Sequence, residues 1–122
     1  MEFNRLLITD KKTLSFYKDA ILELFRVSFG KDLPPEVWEW AYILNPNGAP
    51  IVSLYFYEDK LVGHYAIIPI KLKLHNSSDT ILSGLSMTTM VDSKYRKHGI
   101  FVKQANEVFL AAKKLSYDLI YG

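Results

Sequence analysis

Apolar residues recur along this chain in two rhythms: steps of three and four in the first third and near the end, steps of two in the middle. A period near 3.6 marks a helix with one buried face, and a period of two marks a strand with one buried face. Residues 3–9 read as a short strand, stopped by the polar run Asp10-Lys11-Lys12-Thr13. That run offers Asp10 or Thr13 as the N-cap of a helix. In it Leu14, Tyr17, Ile21, Leu24, Phe25 and Ser28 draw one face, and Gly30 stands where a left-handed C-terminal residue is wanted. Pro34-Pro35 opens a second, shorter helix, because proline at a first helical position lacks only an N–H that has no intrahelical partner there. Its apolar side is Val37, Trp38, Ala41, Tyr42 and Ile43, and Asn45-Pro46-Asn47-Gly48 ends it.

The middle of the chain predicts an antiparallel meander. Residues 51–57 are β-branched and aromatic, Glu58-Asp59-Lys60 makes a tight connection, and 61–74 form the next strand. Ile70, Leu72 and Leu74 alternate there with Lys71, Lys73 and His75. Pro69 marks a bulge or an edge position, since it cannot donate to a ladder. Asn76-Ser77-Ser78-Asp79 is a turn, and residues 80–91 are a further strand. After a short polar stretch a helix follows, with Phe101, Ala105, Val108, Phe109, Ala112 and Leu115 on its apolar face and Gln104, Glu107 and Lys114 away from it. Residues 117–121 are a last strand. The order is β-α-α-β-β-β-α-β, an α/β arrangement with a mixed sheet (α+β) in a single domain over 1–122.

Composition narrows the function classes. Of 122 residues 49% are hydrophobic and 14% aromatic, enough for a core and too much for a disordered chain. No uncharged run is long enough to span a bilayer, and the start lacks the layout of a secretory signal, so a cytoplasmic protein without a membrane partner is expected. The absence of cysteine excludes disulfides, thiolate metal sites and a cysteine nucleophile, and no metal is expected. A net charge of +2 argues neither for nor against a polyanion. Lys94, Arg96, Lys97 and Lys103, however, lie close together with no carboxylate among them, enough to meet a phosphate locally. Tyr55, Phe56, Tyr57 and Tyr65 suit a core better than a stacking platform for bases, and no nucleic-acid partner is expected.

Candidate chemistry gathers where strand, glycine-bearing loop and helix meet, over residues 85–115. The first amides of a helix have no intrahelical acceptor and sit at the positive end of its dipole, so an oxyanion there gains several hydrogen bonds. Gly99 suits close approach of a phosphate to the backbone. Hydrogen bonds to a charged group are worth roughly 1.5–3 kcal/mol each, against about 0–1 kcal/mol for an exposed lysine ion pair. The amides therefore bind and the lysines steer.

The stretch Ser86-Met87-Thr88-Thr89-Met90-Val91-Asp92-Ser93-Lys94-Tyr95-Arg96-Lys97-His98-Gly99-Ile100-Phe101 resembles the acetyl-coenzyme A motif of the GNAT acetyltransferase superfamily, [RQ]-x-x-G-x-[GA] after a strand. Arg96 and Gly99 match its first two fixed positions. Phe101 stands in place of the small final residue, as in a bacterial branch that runs Tyr-Arg-x-x-Gly-Ile-Phe. Trp38-Glu39-Trp40 with Tyr42, Asn45-Pro46 with Gly48, and Val62-Gly63-His64-Tyr65 are similar to the same branch. The resemblance covers nearly the whole chain and implies a GNAT-like acyl-CoA N-acyltransferase fold. It implies that acetyl-CoA is the co-substrate, with Arg96, Lys97, His98, Gly99, Ile100, Phe101 and Val102 around its diphosphate. The pantetheine arm would pair with Thr89, Met90 and Val91, and the acetyl group would pass directly to a small-molecule or peptide amine.

For proton transfer the strand over 80–91 supplies only hydroxyls, leaving Ser86, Thr88 and the nearby His64 as weak catalytic candidates. Trp38 and Trp40 stand on the helix that borders the acceptor site in that family. By the same resemblance the chain stops at Gly122 before a further helix and two closing strands. The expectation is therefore a partial domain, inactive as an isolated segment and free to pair as a homodimer through its last strand. The alternative reading is a non-catalytic GNAT-like binding or assembly module.

Overall fold

In the computed structural model, which describes residues 2–73, 75 and 78–122, strand β1 (Asn4–Ile8) leads into helices α1 (Lys11–Phe16) and α2 (Lys18–Phe29). Asp10 is the cap, its carboxylate accepting from the Thr13 amide at 2.8 Å. The single helix expected here is divided at Tyr17. Its amide bonds the Leu14 carbonyl three residues back at 3.0 Å, a tight turn from which the chain restarts as α2. Gly30 closes α2 in the left-handed conformation, φ 69°.

Helix α3 (Pro35–Trp38) runs on into a π-helical turn over Glu39–Ile43, where the Leu44 amide reaches the Glu39 carbonyl, five residues back, at 2.8 Å. The wider turn keeps Ala41 and Tyr42 in the core beside Trp38 while Trp40 stays 73% exposed. Sequence periodicity at 3.6 does not reveal such a turn.

Strands β2 (Ile51–Tyr57), β3 (Lys60–Lys73) and β4 (Thr80–Val91) form the expected meander. Leu74 and part of the turn at 76–79 lie outside the described residues. A 3₁₀ turn (Ser93–His98) then leads to α4 (Ile100–Lys114) and to β5 (Leu119–Tyr121), shorter than expected because the Tyr117 amide still closes α4 on the Ala112 carbonyl at 3.0 Å, while the Asp118 amide reaches the Leu82 carbonyl at 2.7 Å just before the ladder with β4 begins. The sheet order is β1-β2-β3-β4-β5, antiparallel except for the parallel pairing of β4 with β5. Pro69 occupies a local edge. The β2 ladder ends at Ile51↔Ile67, so past it nothing asks Pro69 for an N–H, and its carbonyl accepts from Asn45 Nδ2 at 3.1 Å.

Helices α2 and α3 cover one face of the sheet over Leu54, Ala66, Ile68 and Met90. Helix α4 covers the other over Ile51, Tyr65 and Ile67. The seam of α4 departs from expectation. Gln104, expected to face away, is fully buried, whereas Phe101, Phe109 and Leu115, expected inside, are 43–50% exposed. The buried line is Ile100, Gln104, Ala105, Val108, Ala111 and Ala112. Small residues let α4 lie close to the sheet, and Gln104 satisfies its donor on the Ser53 carbonyl at 2.9 Å, which offsets the cost of burying an amide.

Candidate active site

The turn between β4 and α4 is built by side chains that bind the backbone. Asp92, 3% exposed, caps the 3₁₀ turn by accepting the Lys94 amide at 3.0 Å, and its other oxygen meets Lys60 Nζ at 3.0 Å. Burial alone would raise its pKa, but the Lys94 amide and the Lys60 ammonium outweigh it and hold the carboxyl below the ordinary value. Arg96 Nε donates to the Val91 carbonyl at 3.2 Å, tying the turn to the end of β4. Gly99 then adopts φ 68°, which favours glycine, and α4 begins.

The Lys103 main-chain amide donates to the Gly99 carbonyl at 3.2 Å as the helix ladder starts, and no side chain caps this end. The ladder therefore does not use the amides of Gly99, Ile100, Phe101 and Val102. Lys97 and His98 lie in the preceding 3₁₀ turn with exposed side chains, His98 edge-on to Phe3 at 5.6 Å. A side-chain carbon at Gly99 would meet no atom within 4 Å, so the amide row opens onto clear space. Between Asp92 and Glu107 the chain carries Lys94, Arg96, Lys97 and Lys103 and no carboxylate, which adds to the positive helix end.

Strand β4 meets β5 only from Ser83↔Leu119 to Leu85↔Tyr121. From Ser86 to Val91 it has no strand partner on that side among the described residues. Asp92 N–H bonds the Val62 carbonyl at 2.8 Å, so by the alternation of an antiparallel ladder Val91 turns its own N–H and C=O to the free side. Arg96 takes that carbonyl and leaves the amide.

Within this free stretch β4 bulges. His64 pairs with Met90 and Ala66 with Met87, so Thr88 and Thr89 together oppose Tyr65. Thr88 has φ 56°, an uncommon conformation for a β-branched residue that costs roughly 1–3 kcal/mol. Two buried side chains hold it. Tyr42 Oη donates to Thr88 Oγ1 at 2.7 Å, and His64 Nδ1 lies 2.7 Å from the Thr88 carbonyl, which makes Nδ1 the protonated nitrogen. His64 is fully buried, and desolvation brings its pKa down to about 4, so the ring is neutral near pH 7. Burial likewise pushes the Tyr42 hydroxyl up to about 12. Ser86, on the α4 side, donates to Tyr65 Oη at 3.0 Å.

A family model described as an acetyltransferase (GNAT) domain matches residues 11–121. The chain belongs to the GNAT acetyltransferase family. No curated protein sequence matches it. Among solved structures, this GNAT chain is similar to an aminoglycoside acetyltransferase from an uncultured soil metagenomic sample. The TM-score is 0.70 at 12% identity, with 100% of this chain and 80% of that one covered. A predicted acetyltransferase with acetyl-CoA from Clostridium acetobutylicum superposes with a TM-score of 0.68 at 14% identity, covering 99% and 80%. Glucosamine-6-phosphate N-acetyltransferase from Arabidopsis thaliana does so at 0.64 and 13%, covering 98% and 82%. The mixed sheet with helices on both faces is thus the GNAT fold, and the family's activity is acetyl-CoA-dependent N-acetyl transfer.

In this GNAT domain the residues expected to matter fall into two groups. Thr89 to Val91 and Arg96 to Val102 line one continuous run from the free edge of β4 to the start of α4. Ser86, Thr88 and His64 are each engaged in a hydrogen bond within the protein. The sequence names Tyr42, Asp92 and Gly63 only within the segments that carry the resemblance and Gln104 only as a polar position on α4, and gives none of them a part in the site. An aspartate closing a strand before a polar turn is an N-cap signal, and a lone glycine inside a strand signals close approach of another element. For Tyr42 and Gln104 no local pattern gives notice, since their partners lie far along the chain. Among the described residues no cluster of His, Cys, Asp and Glu is arranged to hold a metal ion, and no helix is long and apolar enough to cross a membrane.

Proposed function

We propose that this domain binds acetyl-CoA with its diphosphate on the amides of Gly99 to Val102 and its pantetheine arm along Thr89 to Val91, and delivers the acetyl group to an amine. The observation that carries this reading is the row of amides left by the α4 ladder, beside a glycine with open space where a side chain would be. An anion gains charge-assisted hydrogen bonds there, and Arg96, Lys97 and Lys103 add favourable charge. The bound thioester supplies the activated acetyl group. The amine nitrogen attacks the thioester carbon, the carbon–sulfur bond breaks, and coenzyme A leaves as the thiol or thiolate while the amine loses a proton.

The chain contributes chiefly position and hydrogen-bond donation, the two effects that dominate acyl transfer between bound reactants. Strand β4 offers no carboxylate for the proton, and Asp92 is occupied by its cap and by Lys60. On the α3 side Trp40, Leu44, Pro46, Ile68 and Ile70 line a groove of about 210 Å³ suited to the apolar part of an acceptor. A small-molecule or peptide amine in a bacterial cytoplasm is the acceptor this reading favours.

Calorimetry with coenzyme A tests it. Gly99→Asp places a carboxylate and a strained backbone at the amide row and should weaken binding more than tenfold, whereas Lys97→Ala should cost roughly fivefold or less. No binding by the wild type, or equal losses in the two variants, would overturn the assignment.

A further inference from the structure

Two buried side chains that face away from the free edge of β4 are both committed to Thr88, and the consequence falls on the next residue. His64 lies on the α2–α3 side of the sheet: its neighbours Gly63 and Tyr65 face α4, and its ring stands edge-on to Tyr42 at 6.2 Å. The hydrogen bond from Nδ1 therefore draws the Thr88 carbonyl out of the plane of the sheet, toward α3. A trans peptide is planar, with C=O and the following N–H opposed. The Thr89 N–H must then point the other way, toward the α4 side, where the amides of Gly99 to Val102 begin. The ladder to β3 has no use for it, because Met87 and Met90 take the paired positions and Tyr65 turns its own backbone to Ser53.

We propose that His64 and Tyr42 are positioning residues that hold the 88–89 peptide so that the Thr89 amide is presented to the acyl oxygen of the bound thioester. This rests on the coenzyme-binding reading above. Neither side chain touches the reacting atoms. His64 fixes the carbonyl, and Tyr42, through Thr88 Oγ1, fixes the left-handed backbone from which that carbonyl departs. A histidine kept neutral by burial is suited to this task, because the bond then persists across the physiological pH range.

The test compares acetyl-CoA with coenzyme A, which lacks the acyl oxygen, so no acceptor is needed. The wild type should prefer acetyl-CoA by about three- to tenfold, the worth of one neutral hydrogen bond. His64→Leu should lose that preference while binding coenzyme A within about twofold of the wild type. His64→Asn, whose amide nitrogen takes the place of Nδ1, should restore it. A purely structural role would instead weaken both ligands together. Should His64→Leu fail to fold, Tyr42→Phe, which removes only the hydroxyl, decides: a reduced preference supports the proposal and an unchanged one overturns it. A wild type that binds coenzyme A without preferring the acetyl form overturns this inference alone, whereas one that binds neither ligand overturns the coenzyme-binding reading beneath it.

Discussion

The side-chain amide of Gln104 donates to the main-chain carbonyl of Ser53 at 2.9 Å, joining the first turns of α4 to the middle of β2 across a fully buried interface. On β3, the neighbour of β2, Gly63 lies directly against this contact. A side-chain carbon there would lie 2.7 Å from Ile100 Cγ2 and 2.9 Å from Gln104 Oε1, too near for either to remain in place. Gly63→Ala should therefore destabilise the fold by about 1–3 kcal/mol in urea unfolding. Because Ile100 opens α4, the same variant should also weaken coenzyme A. Unchanged stability would show that α4 sits less tightly on the sheet than this contact implies.

Gly99 presents the opposite problem. Space around it is open, and only its backbone, at φ 68°, is demanding. Gly99→Ala should cost roughly 1–2 kcal/mol through the left-handed conformation alone. The crystal structure of the variant should show the turn retained. A variant as stable as the wild type would mean that the turn relaxes freely to another conformation.

Burial of neutral His64 makes stability depend on pH. The unfolded chain takes up a proton near the ordinary value of 6.5, the folded chain only near about 4. Stability is therefore full above the first value and falls as the pH drops toward the second. Urea unfolding from about pH 7 to about pH 5 should show a loss on the order of 2 kcal/mol. Most of that slope should vanish in His64→Asn; the same slope in both proteins would assign it to other groups.

Asp92 responds in a more acidic window. Its folded-state pKa is depressed, so its contribution is present above the ordinary carboxyl value of 3.8 and is lost as the pH falls through the folded value. Asp92→Ala removes both the cap and the Lys60 partner, and should cost about 1–2 kcal/mol in thermal or urea unfolding at neutral pH. Asp92→Asn keeps an acceptor for the Lys94 amide and should cost less. Equal losses would assign the effect to charge rather than to capping.

The strands were legible because each reports itself locally. Ile70, Lys71, Leu72 and Lys73 alternate in burial as their types alternate, and the cap at Asp10 and the stop at Gly30 follow from short-range chemistry. What the pattern does not carry is long-range compensation. Gln104 reads as an outward polar residue until Ser53, far away in sequence, supplies its partner. Phe101 and Phe109 read as core by type, yet they pack edge-on against Tyr65 at the rim of α4. The π turn at Glu39–Ile43 breaks the spacing on which the periodic argument rests.

The candidate site divides the same way. Its glycine, its basic side chains and its place between strand and helix can all be read along the chain. The bulge cannot, since a threonine at φ 56° violates local preference and persists only because Tyr42 and His64 hold it from other elements.

The amide row at the start of α4 has a consequence for how such a protein changes over time. Main-chain hydrogens are the same whichever amino acids carry them, so the row depends on the path of the polypeptide rather than on the letters of the gene. Lineages can replace nearly every side chain around it and still inherit the row, provided that a few glycines and caps keep the path. The likeness to the soil acetyltransferase at 12% identity is of this kind, a likeness of fold rather than of side chains.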